Sequence, residues 1–134
     1  MAGYSGTPLL KKLGIKPGMR TAILHAPTSY ARTLGPLPKG VEAARALKGP
    51  LDFVHFFTLR KADLESHVGQ LVRALAPAGM LWVSWPKKAA KVETDLTESV
   101  VRDIGLAAGV VDVKVCAVDD TWSGLKFVRR LKDR

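Results

Sequence analysis

Three mostly apolar runs of strand length constrain this chain more than any other feature: RTAILHA (20–26), LDFVHFFT (51–58) and MLWVSW (80–85). Each is almost continuously apolar rather than alternating, which predicts strands buried on both faces at central positions of a parallel sheet. Punctuation supports the reading. Pro27 ends the first run, Gly49-Pro50 introduces the second, and Pro86, which lacks an amide hydrogen to donate to a ladder, closes the third.

The intervening segments carry helical signals. Leu64, Val68, Leu71, Val72 and Leu75 recur at helical spacing, and APAG stops that helix. Asp95 is the expected N-cap of the next helix, with Glu98 three residues on and Leu96, Val100, Ile104 and Ala107 as its buried stripe up to Gly109. A short helix is expected after Thr7 as N-cap, with Pro8 in its first position and Gly14 closing it. Thr28 or Ser29 caps a second short helix through Leu34, and GPLPKG (35–40) follows as an irregular connection. The segment VEAARALKG is ambiguous.

Near the C-terminus, VVDVKVCAV sets Val111, Val113, Val115 and Ala117 against Asp112, Lys114 and Cys116, the pattern of a half-exposed strand. DDTWSG turns the chain, and LKFVRRL returns as an antiparallel hairpin at the sheet edge, where its charges discourage edge pairing. With right-handed crossovers this order implies a mostly parallel three-layer α/β/α Rossmann-like sheet with a C-terminal antiparallel hairpin. At 134 residues with 47% apolar content, residues 1–134 fit one domain with its own core. The apolar runs fall short of the roughly 20 residues that cross a bilayer, and MAGYSGTPLLKKLG lacks the apolar block of a signal peptide. A cytoplasmic protein without a membrane partner is expected, with Cys116 as a half-buried core thiol.

LDFVHFFT, LVRALAPAGMLWVSW and the closing VVDVKVCAV with GLKFVRR resemble the class I methyltransferase version of the Rossmann fold, in which two final strands add an antiparallel pair to the edge. The stretches YSGTPLLKKLGIK, LWVSWPKK, TDLTE, VDVKVCAVD and WSGLK also resemble those of a small bacterial family with no assigned activity. The first resemblance implies a glycine-rich turn after the first strand for S-adenosylmethionine and an acidic residue after the second strand for its ribose. Here the first strand runs into Pro27 and Thr28, which do not meet the steric reason for glycine, and Glu42 is the nearby acid. No standard cofactor site is therefore expected.

In open α/β sheets ligands bind beyond the carboxyl ends of the strands. That rule collects His25, Thr28, Ser29, Thr58 and Arg60, together with Ser84, Lys87 and Lys88. Tyr30 adds a third hydroxyl to the loop after the first strand, and Trp122 or Trp85 closes one side. Together they form a basic and aromatic pocket suited to a phosphate, a carboxylate or a nucleobase. His25 has no placed nucleophile beside it, His55 reads as a core residue with one satisfied nitrogen, and His67 falls near a helix surface. No spacing among three histidines and one cysteine resembles a metal site, and Asp119-Asp120 reads as a turn.

Three readings of function follow. The first is a non-catalytic domain binding a small anion or a partner protein at the strand ends. The second is an S-adenosylmethionine-dependent methyltransferase-like enzyme with a degenerate cofactor loop. The third, prompted by a formal charge of +9 with no run longer than two basic residues, is a nucleic-acid-binding module. Oligomeric state and substrate are not written in the sequence.

Overall fold

The computed structural model describes residues 8–134. Four α-helices, α1 (Leu9–Leu13), α2 (Tyr30–Leu34), α3 (Lys61–Arg73) and α4 (Glu98–Ala107), flank a six-stranded sheet. Its strands are β1 (Arg20–Leu24), β2 (Glu42–Ala43), β3 (Leu51–Phe57), β4 (Leu75–Pro86), β5 (Val110–Ala117) and β6 (Trp122–Arg129), in the order β2-β1-β3-β4-β6-β5. The first four pair in parallel, and β6 and β5 run antiparallel at one edge. The expected mostly parallel α/β/α architecture with its closing hairpin is what the chain adopts.

The double-sided burial of β3 follows from its side chains. Val54 and Phe56 enter one core with Leu64, Leu71, Val101 and Ile104 from α3 and α4. Phe53 and Phe57 enter the other with Leu9 and Leu13 of α1 and Tyr30 of α2. Burying each such side chain stabilises the fold by about 1.5–3 kcal/mol. The two covers are unequal: α3 and α4 have 13 and 10 residues, whereas α1 and α2 have five each. α1 is held by the Trp82 Nε1 hydrogen bond to the Leu13 carbonyl at 2.9 Å, and it ends at Gly14, whose φ of 84° suits glycine.

Several boundaries differ from the sequence expectation. Pro8 is the N-cap of α1 rather than its first helical residue, and Thr7 lies outside the described residues. The α3 stripe stops at Val72, because Leu75 already belongs to β4, whose early residues join β3 through a register shift between Leu51 and Phe53. α4 is capped by Thr97, whose Oγ1 accepts from the Val100 amide at 3.2 Å. Asp95 instead accepts from the Lys61 amide at 2.7 Å, so it serves the start of α3 across the fold. The later start turns Val101, Ile104 and Gly105 inward and leaves Ala107 exposed.

The hairpin also departs from expectation. β6 begins at Trp122, three residues before LKFVRRL. A bulge between Asp112 and Lys114 breaks the alternation of β5, so Val113 and Val115 are 53% and 50% exposed instead of packed. The ambiguous VEAARALKG contributes only the two residues of β2.

Gly105 brings α4 down onto β6. A Cβ there would overlap the fully buried Phe127 ring. Replacing a helical glycine by alanine ordinarily stabilises by up to about 1 kcal/mol. Here Gly105→Ala is expected to destabilise by about 1–3 kcal/mol through overpacking. Urea denaturation decides the sign, and a stabilised variant would contradict this packing.

Candidate functional site

The carboxyl ends of β1, β3 and β4 open on one side of the sheet, and the antiparallel β6 starts there, with Trp122 opposite Pro86. His25 follows β1 with a φ of 58°, the left-handed region uncommon for residues with a side chain. Its ring lies 5.2 Å from Phe56 and 6.0 Å from the His67 ring. Thr58 follows β3 and is buried; its hydroxyl donates to Asp63 Oδ2 at 2.6 Å, tying the strand end to the first turn of α3. Asp63 also lies 3.2 Å from His67 Nδ1, which donates to the Asp63 carbonyl at 2.7 Å.

Two clefts lie side by side here. One, of about 500 Å³, is lined by His25, Phe57, Thr58, Arg60, Asp63 and Trp122. The other, of about 520 Å³, is lined by Trp85, Lys87, Lys88, Thr97, Glu98 and Ser123. Val92 borders both. The loop that follows β4 is fastened across them, since Thr94 donates to the Leu59 carbonyl at 2.6 Å and the Lys87 amide donates to the Thr121 carbonyl at 2.7 Å. Arg60 reaches Glu93 at 3.6 Å, both side chains being largely exposed.

Of the sequence candidates, His25, Thr58, Arg60, Lys87, Lys88 and Trp122 line the clefts. Thr28 and Ser29 line neither. The loop turns past them into α2 without a side-chain cap, and the Ser29 carbonyl accepts from Thr33 Oγ1. Tyr30 and Ser84 face the core. Tyr30 Oη lies 2.8 Å from His55 Nδ1, and Ser84 Oγ lies 2.7 Å from His55 Nε2. Both nitrogens of His55 are thus engaged, one more than expected, and the imidazole stacks on Phe57 at 4.2 Å. Burial pushes the Tyr30 phenol up and the His55 ring down, the latter to about 3. Residues that sequence reasoning missed are Asp63, Val92, Thr97 and Ser123. Only Asp63 carried a signal, its i, i+4 spacing to His67.

No protein-family model and no curated protein matches the chain. Solved structures do. A SAM dependent methyltransferase from Aquifex aeolicus superposes with a TM-score of 0.60 at 18% identity, covering 89% of this chain and 86% of the other. N-methyltransferase NodS from Bradyrhizobium japonicum WM9 gives 0.60 at 15%, covering 89% and 90%. Magnesium protoporphyrin IX methyltransferase (ChlM) from Synechocystis PCC 6803 gives 0.58 at 12%, covering 90% and 78%. The fold is therefore the methyltransferase-like form of the Rossmann architecture.

The residues present do not rebuild the cofactor cradle that this fold implies. The corner after β1 carries the His25 side chain and Pro27 where bare backbone is required. Glu42 opens β2 rather than following it, stands in register with Arg20 at the amino end of β1, and pairs with it at 3.3 Å. It lies at the opposite end of the strands from the clefts. None of the described helices is long and apolar enough to cross a membrane.

The His55 network makes stability depend on pH. In the unfolded chain the imidazole protonates near pH 6.5, whereas in the fold it stays neutral down to about 3. Because the folded pKa is the lower one, the stability is complete above pH 6.5 and drains as pH falls toward 3, at about 1.4 kcal/mol per pH unit. Urea unfolding at pH 7 and pH 5 is expected to show this slope in the wild type and to lack it in His55→Gln. Equal slopes would remove His55 as its source.

Proposed function

We propose that the chain is a methyltransferase-like domain with an altered cofactor corner, whose strand-end crevice takes a ligand of the adenosyl or nucleotide class. The observation that carries this reading is the pairing of the two clefts across Val92. One offers an aromatic wall, Trp122 against Phe57 at 5.2 Å, for a planar ring. The other offers Lys87 and Lys88 with the hydroxyls of Thr97 and Ser123 for negative charge, while the Glu98 carboxylate that also lines it is engaged by Arg102. The likeness to methyltransferases favours an enzyme over a non-catalytic domain. The corner at His25 and Pro27 requires that an adenosyl ligand sit further toward Trp122 than a glycine turn would hold it, and no reaction step is assigned. Within the crevice, Thr58 and Asp63 fix the start of α3, and Asp63 holds the His67 ring in one orientation.

A second reading, binding of a small anion alone, is favoured by the same two lysines. Thermal denaturation separates the two. S-adenosylhomocysteine at about 100 Kd is expected to raise stability by about 2.7 kcal/mol. Stabilisation by phosphate as large as that by AMP, with none by S-adenosylhomocysteine, would leave only the anion reading; stabilisation by AMP but not by phosphate or S-adenosylhomocysteine would narrow the ligand to a nucleotide, and no stabilisation by any of the three would end both.

The lysines are tested separately. Lys87→Ala with Lys88→Ala is expected to change stability by no more than about 0.5 kcal/mol, both side chains being at the surface, and to weaken AMP binding at least about tenfold. Titration calorimetry reads the affinity, and equal binding by the double variant would take those lysines out of the site.

A further inference from the structure

The thin side of the sheet carries a concentration of positive charge that the crevice does not use. Lys114 of β5 and Lys126 of β6 stand directly opposite each other in the antiparallel ladder. Like charges so placed repel, and a sheet ordinarily avoids them. Two lysines of the α1 segment close on the same spot. Lys114 Nζ donates to the Lys12 carbonyl at 3.1 Å, and Lys12 Nζ donates to the Ala117 carbonyl at 3.3 Å. Lys126 is half-buried among them. Burial lowers its pKa first, and the nearby Lys114 and Lys16 lower it further.

The ladder pair and Lys16 lack an acidic neighbour. Among the described residues, Lys16, Lys114 and Lys126 have no carboxylate within ion-pair distance. The first acidic residue of the chain is Glu42, so α1 and α2, which cover this face, contain none. The carboxylate next to Lys114 in sequence, Asp112, is on the far side of the bulge and is held by Arg102 at 2.9 Å. We propose that the face formed by Lys12, Lys16, Lys114 and Lys126 is a binding surface for the phosphodiester backbone of a nucleic acid.

A run of phosphates suits the patch better than a protein does. Protein interfaces draw on buried aromatic and Met anchors and are depleted of lysine. This patch is lysine on a pleated face, with Cys116 and Val128 as its apolar neighbours. Phosphate neutralisation needs only placed cations and is indifferent to base sequence. The site is separate from the crevice and does not depend on the ligand proposed there.

The test uses the whole chain and a labelled single-stranded RNA of mixed sequence, with fluorescence anisotropy at several salt concentrations. With four phosphates neutralised, affinity is expected to fall about 50-fold between 50 and 200 mM salt. Lys114→Glu places an opposite charge against Lys126. It is expected to raise the melting temperature by about 1–4 °C while weakening RNA binding at least about tenfold and flattening the salt slope by about one unit. If Lys114→Glu does not fold, Lys16→Ala with Lys126→Met serves instead, with the same loss of binding expected. No binding at 50 mM salt, or unchanged binding by these variants, would overturn the proposal. So would binding confined to phosphatidylserine vesicles, or an equal loss in the Lys87→Ala, Lys88→Ala variant, which would move the phosphates to the crevice.

Discussion

In β3, inside the sheet, one polar side chain sits between apolar strand neighbours, and its two hydrogen bonds decide the shape of what lies around it. His55 is fully buried between Phe53 and Phe57, so an unengaged ring nitrogen would carry a full desolvation penalty. Tyr30 answers one nitrogen and Ser84 the other. A neutral imidazole has one donor and one acceptor, and the two hydroxyls, each able to do either, satisfy both. Through Tyr30 the network draws α2 onto the sheet, and so fixes where the loop from His25 to Ser29 runs. Through Ser84 it joins β3 to β4, whose end delivers Lys87 and Lys88. The position of the crevice is in this sense an outcome of how one buried ring is satisfied.

The same network explains why part of the site was not legible beforehand. Tyr30 opens α2 after the loop that follows β1, and Ser84 lies near the end of β4, where a hydroxyl is as suited to a ligand as to the core. Their direction is set by a histidine 25 and 29 residues distant in sequence, and spacing carries no trace of that. The double burial of β3, by contrast, is written in its composition, because Val54 and Phe56 alternate with Phe53 and Phe57 and both sets are apolar. The phase of α4 misleads for a local reason: Asp95 and Thr97 are both good caps two residues apart. The Asp95 carboxylate is taken by the Lys61 amide, a partner visible only in three dimensions. In β5 the alternation is real, but one bulge inverts which side chains face out after Asp112.

The corner after β1 shows the fold kept while its usual steric device is changed. A glycine there allows backbone to turn left-handed at no cost and leaves room for a ligand to lie against the chain. His25 makes the left-handed turn with a side chain attached, at a cost in strain of about 1–2 kcal/mol. That ring packs against Phe56 and reaches the His67 ring over α3, so part of the cost returns as contact. His25 thus borders the cleft whose other residues include Trp122 and Val92.

The charge distribution leads to a related conclusion about the two faces. On the thick side Arg102 joins Glu98 on its own helix and Asp112 on β5, so its charge lies between two of opposite sign. These partly exposed pairs contribute little stability each, but they set a guanidinium against carboxylates where the ladder of the thin side sets lysine against lysine. On the thin side the residues that would balance Lys16, Lys114 and Lys126 are not supplied, although substituting one ladder position would suffice. A fold that tolerates like charges face to face across two strands, next to a partly desolvated lysine, is less stable than a simple substitution would make it. Repulsion of that kind is relieved when an anion supplies the missing charge, and on this the proposed binding of phosphates to this face rests.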